Sequence, residues 1–130
     1  MKSKVILLIR TIKNLNEMTY QYPLEERLKG LKIGTFFSCD SQSDQVMLHY
    51  GKELIENHEK IFFIVDARVT SELGTGQSLL NAGIRKQNVR LLCLGESRKL
   101  VPFLKVFKGK VFASEDELVD YLKSNESASF

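Results

Sequence analysis

The stretch that decides the fold begins with Ile61-Phe62-Phe63-Ile64-Val65, an apolar run that ends in Asp66. The glycine-rich segment Ser71-Glu72-Leu73-Gly74-Thr75-Gly76 follows, and a helix-length segment leads to a second apolar run, Leu91-Leu92-Cys93-Leu94. This order predicts strand, loop, helix and strand, the unit from which parallel α/β sheets are built. Ligands bind such sheets just past the strand ends and at helix N-termini, so the loop after Asp66 is the first candidate site.

The same alternation of strands and helices covers the whole chain. The predicted strands are residues 4–9, 33–39, 61–65, 89–94 and 111–113, and segments of helical apolar spacing separate them. Right-handed crossovers fold such a repeat into a parallel sheet covered on both faces. The sequence therefore predicts one domain over residues 1–130, a three-layer flavodoxin-like α/β sandwich with a five-stranded parallel sheet and a flexible tail from about residue 124. Strand order is not specified.

Local patterns predict where helices begin and which faces they bury. A helix begins near Pro23, and Ser114 and Glu117 form a capping box for the last helix, whereas residues 101–107 fit a short helix or a loop. Three side chains are candidate caps of the second helix: Asp40, Ser41 and Ser43. The predicted inward side chains of the later helices are Met47, Tyr50, Leu54, Ile55, Leu80, Ile84, Leu118, Tyr121 and Leu122.

Composition is that of a folded domain without a membrane span: 43% of the 130 residues are apolar and 27% are charged. The net charge is +3, and eight Lys or Arg residues between Arg85 and Lys110 face only Glu96 in that stretch. We interpret this stretch as solvated surface, the commoner role of exposed basic residues on helices and loops, and nucleic acid is not an expected partner. Cys39 and Cys93 are predicted free thiols in a cytoplasmic protein.

Several known chemistries are excluded by the residues after the strands. Gly74-Thr75-Gly76 lacks the third glycine of a dinucleotide fingerprint, and no P-loop is present. Arg10-Thr11-Ile12-Lys13 supplies neither the acidic pair of a phospho-receiver domain nor the hydroxyl-rich phosphate loop of a flavodoxin. His49 and His58 have no cysteine or carboxylate at metal-ligand spacing. We expect no metal and no cofactor.

A positive resemblance comes from the loop and the strand after it. Val69-Thr70-Ser71-Glu72-Leu73-Gly74-Thr75-Gly76-Gln77-Ser78-Leu79, then Ala82, and then Arg90-Leu91-Leu92-Cys93-Leu94 resemble the nucleoside 2-deoxyribosyltransferase superfamily. The similarity is greatest to its 2′-deoxynucleoside 5′-phosphate N-hydrolase branch, and it extends loosely from Lys4 to Leu122. The resemblance implies a flavodoxin-like homodimer that cleaves or exchanges the N-glycosidic bond of a deoxynucleotide through a glutamate nucleophile.

The resemblance also implies roles for individual residues. Ser71, Gly74 and Gly76 match the loop that holds the 5′-phosphate, and Glu53 falls where the family carries an aspartate. The position of the nucleophilic glutamate is Ser78, and a serine without an adjacent base is a poor nucleophile. Glu72, inserted in the loop, is a candidate replacement.

The first-strand loop departs most from the family, because Ile9-Arg10-Thr11-Ile12 replaces a small, glycine-containing turn. Arg10 would narrow the pocket or add a cation to it. Structural alternatives stay open for the other positions. Asp66 could cap its own turn, Gly74 and Gly76 could be turn residues, and Ser71 or Thr75 could be a helix N-cap.

Three hypotheses follow. The first is a nucleotide-binding or other phospholigand-binding domain with weak or no glycosidase activity, with Arg10, Asp66, Ser71, Gly74, Gly76 and Ser78 as ligand-binding residues. The second is an active N-glycosidase on deoxynucleoside monophosphates that uses Glu72 or Glu53 as catalytic residues. The third is a protein-interaction module of Toll/interleukin-receptor-like outline.

Overall fold

The protein is a five-stranded, all-parallel sheet with helices on both faces, and the computed structural model describes residues 4–12, 22–32, 34–41, 44–69 and 72–125. The strands are β1 Lys4–Arg10, β2 Thr35–Asp40, β3 Lys60–Asp66, β4 Asn88–Leu94 and β5 Lys110–Phe112. The helices are α1 Pro23–Gly30, α2 Gln45–Asn57, α3 Thr75–Gly83, α4 Val101–Phe107 and α5 Glu115–Asn125, with a 3-10 turn at Arg98–Leu100. The predicted three-layer flavodoxin-like fold is confirmed, and its strand order is β2-β1-β3-β4-β5.

The central strands are continuously apolar because both of their faces are covered. In β1, every residue from Val5 to Ile9 is buried, and β3 is buried from Ile61 to Asp66. Successive side chains of a strand point to opposite faces, so Leu7 and Ile9 enter one core while Ile6 and Leu8 enter the other. This double burial explains why no polar alternation marks these strands in the sequence.

Each face of the sheet has its own hydrophobic core. Helices α2, α3 and α4 cover one face, where Ile55, Leu80 and Phe107 pack. Helices α1 and α5 cover the other face, where Leu28, Leu118 and Leu122 pack. Burial of all the core residues of a domain of this size is the main stabilising term, at about 25 cal/mol per Å² of apolar surface removed from water.

One predicted helix start is confirmed, and the alternative left open for residues 101–107 is decided in favour of a helix. Helix α1 begins at Pro23, and Pro102 lies in the first turn of α4, so residues 101–107 are helical. The predicted capping box of α5 is present in altered form. Glu117 N donates to Ser114 Oγ at 3.2 Å, whereas the Glu117 carboxylate accepts from Ala113 N rather than from Ser114 N.

The predicted caps of α2 are not the cap that the structure uses. Asp44 Oδ1 accepts a hydrogen bond from Met47 N at 3.0 Å, and Asp44 is the N-cap. Asp40 is the last residue of β2 and Ser41 bonds to Ile12, so neither reaches the helix start. Ser43 lies outside the described residues.

Three side chains predicted to face inward are exposed. Met47 and Tyr50 are 37% and 52% exposed, because α2 buries the stripe of Leu48, Gly51 and Ile55 instead. Ile84 is 45% exposed because α3 ends at Gly83, one residue before it.

The other inward predictions agree with the structure. Leu80, Leu118 and Leu122 are buried, and Tyr121 packs partly buried on the second core. In the described ranges no helix has the length and apolarity needed to cross a membrane. Residues 126–130 of the predicted tail lie outside the described residues, and α5 includes residues 124 and 125.

Candidate functional site

The candidate site lies at the edge of the sheet where the carboxyl ends of the strands meet, which we call the carboxyl rim. Arg10, Asp40 and Asp66 end three adjacent strands, and Arg10 is the register partner of both aspartates. In the order β2-β1-β3-β4-β5 the chain direction across the sheet reverses between β1 and β3. Sheets of this order bind ligands at that switch point, which here falls at Arg10 and Asp66.

Asp66 is a buried carboxylate whose oxygens are fully engaged. Its side chain accepts from Tyr22 OH at 2.6 Å and from Arg68 Nε and Nη2 at 2.9 Å each. It also accepts from Arg68 N at 3.2 Å, which closes the turn after β3. The turn-capping role predicted as an alternative for this residue is therefore present.

The electrostatics of this cluster keep Asp66 ionised and Tyr22 neutral. Burial by itself would raise the pKa of Asp66, but hydrogen bonds from Arg68 and Tyr22 outweigh it and lower the pKa below its ordinary value. Burial and the neighbouring Asp66 charge raise the pKa of Tyr22 well above 10. The hydrogen bond to Asp66 also raises the pKa of Arg68. A neutral phenol and a charged guanidinium thus hold one carboxylate.

Arg68 connects this cluster to the last helix. Its Nη2 atom lies 2.9 Å from Glu115 Oε2, and Arg27 of α1 lies 3.7 Å from Glu115 and 2.8 Å from Asp116. These ion pairs join the turn after β3 to α1 and α5. They are partly exposed, so each one stabilises the fold by at most about 1 kcal/mol.

Arg10 lies against the other side of Tyr22. Its guanidinium carbon is 4.2 Å from the centre of the Tyr22 ring, within the range of a cation–π contact. Tyr22 is thus held by Asp66 at its hydroxyl and by Arg10 at its ring face. At the switch point, Arg10 therefore packs on the Tyr22 ring and Arg68 pairs with the Asp66 carboxylate.

The two loop glycines are required for close packing. Gly74 has a φ of +54°, and a Cβ atom there would lie 1.8 Å from Ser41 O. A Cβ atom at Gly76 would lie 2.6 Å from Ile9 Cγ2. Both glycines let the start of α3 approach the ends of β1 and β2, a structural role also predicted as an alternative.

Three amides at the start of α3 donate inside the protein. These bonds are Thr75 N to Ser41 O at 3.1 Å, Gly76 N to Leu73 O at 2.9 Å and Gln77 N to Gly74 O at 3.2 Å. The residue before the helix is Gly74, and Thr75 Oγ1 donates to Asp40 O instead of capping the helix. Ser71 lies outside the described residues, so the predicted phosphate loop is described only from Glu72 onward.

The predicted site residues are divided between the rim and the surface of α2 and α3. Arg10, Asp66, Gly74 and Gly76 come together at the carboxyl rim, where Glu72 is exposed in the loop. Ser78 instead lines a groove of about 460 Å³ between α2 and α3, together with Lys52, Glu56, Asn81, Ala82 and Arg85.

Glu53 is on the exposed side of α2. Its carboxylate is 57% exposed and lies 3.0 Å from His49 Nε2. Glu53 has no ion pair with another described residue, and Asp66 and Ser78 are not bonded to it. Among the described residues the bonded partner of Glu53 is therefore His49, a neighbour on the same helix.

Both histidines contact groups on helix α2. His58 Nδ1 lies 2.7 Å from Leu54 O, and His49 bonds to Glu53 as described above. Among the residues that the structure describes, no group of three or more His, Cys, Asp or Glu side chains could hold a metal ion.

Tyr22 and Arg68 were not predicted as parts of this site. A signal was present for Arg68, because a residue two positions after an aspartate at a strand end is placed to donate its amide to that aspartate. Tyr22 directly precedes Pro23, the start of α1, but nothing in the sequence connects its hydroxyl to Asp66.

The fold and site define a flavodoxin-like α/β domain with a polar switch point. Comparisons with known proteins add no relative: no family model, no curated protein and no solved structure matches the chain.

Proposed function

We propose that this domain binds a nucleotide, or another small phosphate-bearing molecule, at the carboxyl rim and has weak or no glycosidase activity. The observation that carries the proposal is the strand order, which puts the switch point between β1 and β3 at Arg10 and Asp66. The resemblance of the loop to nucleoside 2-deoxyribosyltransferases supports the ligand class.

The arginines are the groups expected to contact the phosphate. The bonds of Arg68 to Asp66 and Glu115 use Nε and Nη2, so Nη1 takes no part in them, and the side chain is 42% exposed. Guanidinium groups suit phosphate because their planar donors match its oxygens. The amides of residues 75–77 already donate within the protein, so the loop contributes through the positive end of the α3 dipole rather than through these hydrogen bonds.

The separation of the predicted catalytic positions supports weak or no glycosidase activity. The nucleophile position of the resembling family is Ser78, which lines the groove between α2 and α3. Glu53 bonds to His49 on the exposed side of α2. An N-glycosidase that uses Glu53 or Glu72 is the alternative, and it would require these carboxylates to reach the same sugar.

Location and assembly complete the proposal. We propose a cytoplasmic protein because Cys39 and Cys93 are both free thiols, as is usual in a reducing compartment. The resemblance implies a homodimer, and the exposed Val46, Met47 and Tyr50 on α2 would give a dimer apolar surface to bury. Light scattering of the purified chain at several concentrations would measure the assembly state directly.

Calorimetric titration with nucleoside monophosphates, and with the same nucleosides without phosphate, tests the ligand proposal. We expect binding that depends on the phosphate and weakens about tenfold in Arg10→Gln, because a charge-assisted hydrogen bond contributes about 1.5 kcal/mol or more. Lys123→Gln, an exposed cation in the last turn of α5, is the matched control and should bind normally. Equal binding of nucleosides with and without phosphate would refute the proposal.

Chromatographic assay of base release from deoxynucleoside monophosphates tests the catalytic part. We expect no release by the wild-type chain at high protein concentration. We expect none from Ser78→Glu either, since a glutamate there would lie in the groove with Lys52 and Arg85. Release that is lost in Glu72→Gln or Glu53→Gln would establish the enzyme instead.

A further inference from the structure

A second polar cavity lies at the opposite edge of the sheet, where α3 and α4 end and β4 begins. Its volume is about 280 Å³, slightly below the roughly 300–1,000 Å³ of typical small-molecule sites. Among its lining residues are three cations and two side-chain amides: Lys86, Arg90, Lys108, Gln87 and Asn88. The described lining residues include no carboxylate, so the cavity is a basic one.

Helix dipoles account for only part of this positive charge. The C-termini of α3 and α4 lie at the cavity, and each full-length helix end carries about half a negative charge. Two such ends offset about one of the three cations. The seven-residue α4 contributes less than a long helix would. Arg90 has a further interaction within the protein, so Lys86 and Lys108 supply the charge that remains for an anion.

The backbone around the cavity is open on one side. β5 pairs with β4 only from Leu92 onward, so the part of β4 from Asn88 to Leu91 has a described strand neighbour only in β3. Lys108 closes α4 in the left-handed conformation, with a φ of +52°. Glycine is the usual residue at such a helix end, whereas here a lysine occupies it and lines the cavity.

We propose that this cavity binds the phosphate group of a small anion, either free phosphate or a small phosphorylated metabolite. Lys86, Arg90 and Lys108 would contact the phosphate oxygens, and Gln87 and Asn88 would donate further hydrogen bonds. The small volume excludes a ligand that buries a sugar and a base together with its phosphate. This site is independent of the proposed function of the carboxyl rim.

The two sites are far enough apart to be tested separately. β4 has seven residues at about 3.3 Å per residue, so its two ends are about 20 Å apart. This distance exceeds the Debye length of about 8 Å at physiological salt, and the charge of one site is screened from the other. A substitution at one site should therefore leave binding at the other unchanged.

Amide NMR of the ¹⁵N-labelled full chain tests the site. The titrants are inorganic phosphate, pyrophosphate and glycerol 3-phosphate, and sodium chloride of matched ionic strength is the reference. We expect saturable shifts of the amides of residues 86–90 and 108. We expect Lys86→Gln combined with Lys108→Gln to weaken binding at least about tenfold, as loss of charge-assisted hydrogen bonds does. Saturation by phosphate alone would identify the free ion, and tighter binding of glycerol 3-phosphate would identify a phosphorylated metabolite.

Two controls separate the outcomes. Lys105→Gln, an exposed lysine of α4 outside the cavity lining, should keep the shifts, and so should Arg10→Gln at the carboxyl rim. Equal shifts with sodium chloride, or unchanged affinity in the double variant with a native spectrum, would overturn the proposal. Shifts confined to Arg10 and Arg68 would overturn this site while supporting the carboxyl rim.

Discussion

Replacement of Asp66 by asparagine should destabilise the protein in a pH-dependent way. The wild-type carboxylate accepts three side-chain hydrogen bonds, from Tyr22 and twice from Arg68. A hydrogen bond to a charged group contributes about 1.5–3 kcal/mol, but the amide side chain of the variant would keep one acceptor oxygen. Arg68 is 42% exposed, so water replaces part of its lost interaction. We expect the free energy of unfolding at pH 7 to fall by about 2–3 kcal/mol, and the melting temperature by about 10 °C.

The pH dependence follows from the direction of the pKa shift. The pKa of Asp66 is lower in the folded protein than in the unfolded chain, where it is about 3.9. Its stabilising contribution is therefore present above that value and is lost as pH falls through the folded pKa. The difference between wild type and Asp66→Asn should be largest at pH 7 and should narrow between pH 4 and pH 3.

Urea unfolding followed by circular dichroism at pH 7, 4 and 3 measures this difference. Asp120→Asn is the matched control, because Asp120 is an exposed carboxylate of α5, and we expect an effect within about 0.5 kcal/mol. A loss below about 0.5 kcal/mol in Asp66→Asn at pH 7, or the same loss at all three pH values, would refute the argument.

Three further predictions concern the same fold. Gly74→Ala should lower the free energy of unfolding in urea by about 2–4 kcal/mol, because its Cβ atom would meet Ser41 O at a positive φ. Gly30→Ala is the control and should not destabilise, because its Cβ atom would meet no atom within 4 Å. Equal stability of the two variants would contradict this prediction. Ultraviolet titration should show that Tyr22 stays protonated until the protein unfolds in alkali, because burial and Asp66 raise its pKa. Tyr22→Phe should therefore remove one phenol from the group that ionises only on unfolding. Loss of a phenol that ionises before unfolding would contradict this prediction. Native Cys39 and Cys93 should react with a thiol reagent at pH 8 about a thousandfold more slowly than in urea, because burial raises the pKa of each thiol to about 12; rapid labelling of the native chain would contradict it.

The sheet was predictable because its strands are buried on both faces. Continuous apolar runs such as residues 61–65 have few alternatives to a central parallel strand, and their boundaries were close to those observed. Strand order was not predictable, because right-handed crossovers fix the handedness of each connection but not the direction in which the next strand is added. The position of the switch point at Arg10 and Asp66 therefore needed the structure.

The errors on α2 and α3 also have physical causes. Leu54 and Ile55 pack on the core as predicted, but Met47 and Tyr50 have the same helical spacing and lie outside the buried stripe of Leu48, Gly51 and Ile55. Gly51 gives no hydrophobic signal, although its missing side chain is what admits Leu79. A glycine at a helix contact is therefore missing from a pattern of apolar side chains.

The position of several candidate residues at the carboxyl rim was predictable, but their contacts were not. Residues after strand ends had to share one rim, so Arg10, Asp66 and the glycine loop were correctly placed. Which acceptor each loop amide would find depends on Ser41, a residue distant in sequence, and could not be predicted. The bond between Arg68 and Glu115 is equally nonlocal, since it depends on how α5 docks.

The bond between Arg68 and Glu115 has a consequence for synthesis of the chain. A ribosome releases β1 and β3 well before α5, so Arg68 cannot meet Glu115 until the final helix has emerged and docked. In the nascent chain Asp66 and Tyr22 can already be neighbours, while the guanidinium of Arg68 has only Asp66 of its two carboxylate partners. The carboxyl rim is therefore completed last, and a ribosome-stalled chain ending before Glu115 would hold Arg68 less tightly than the released protein does.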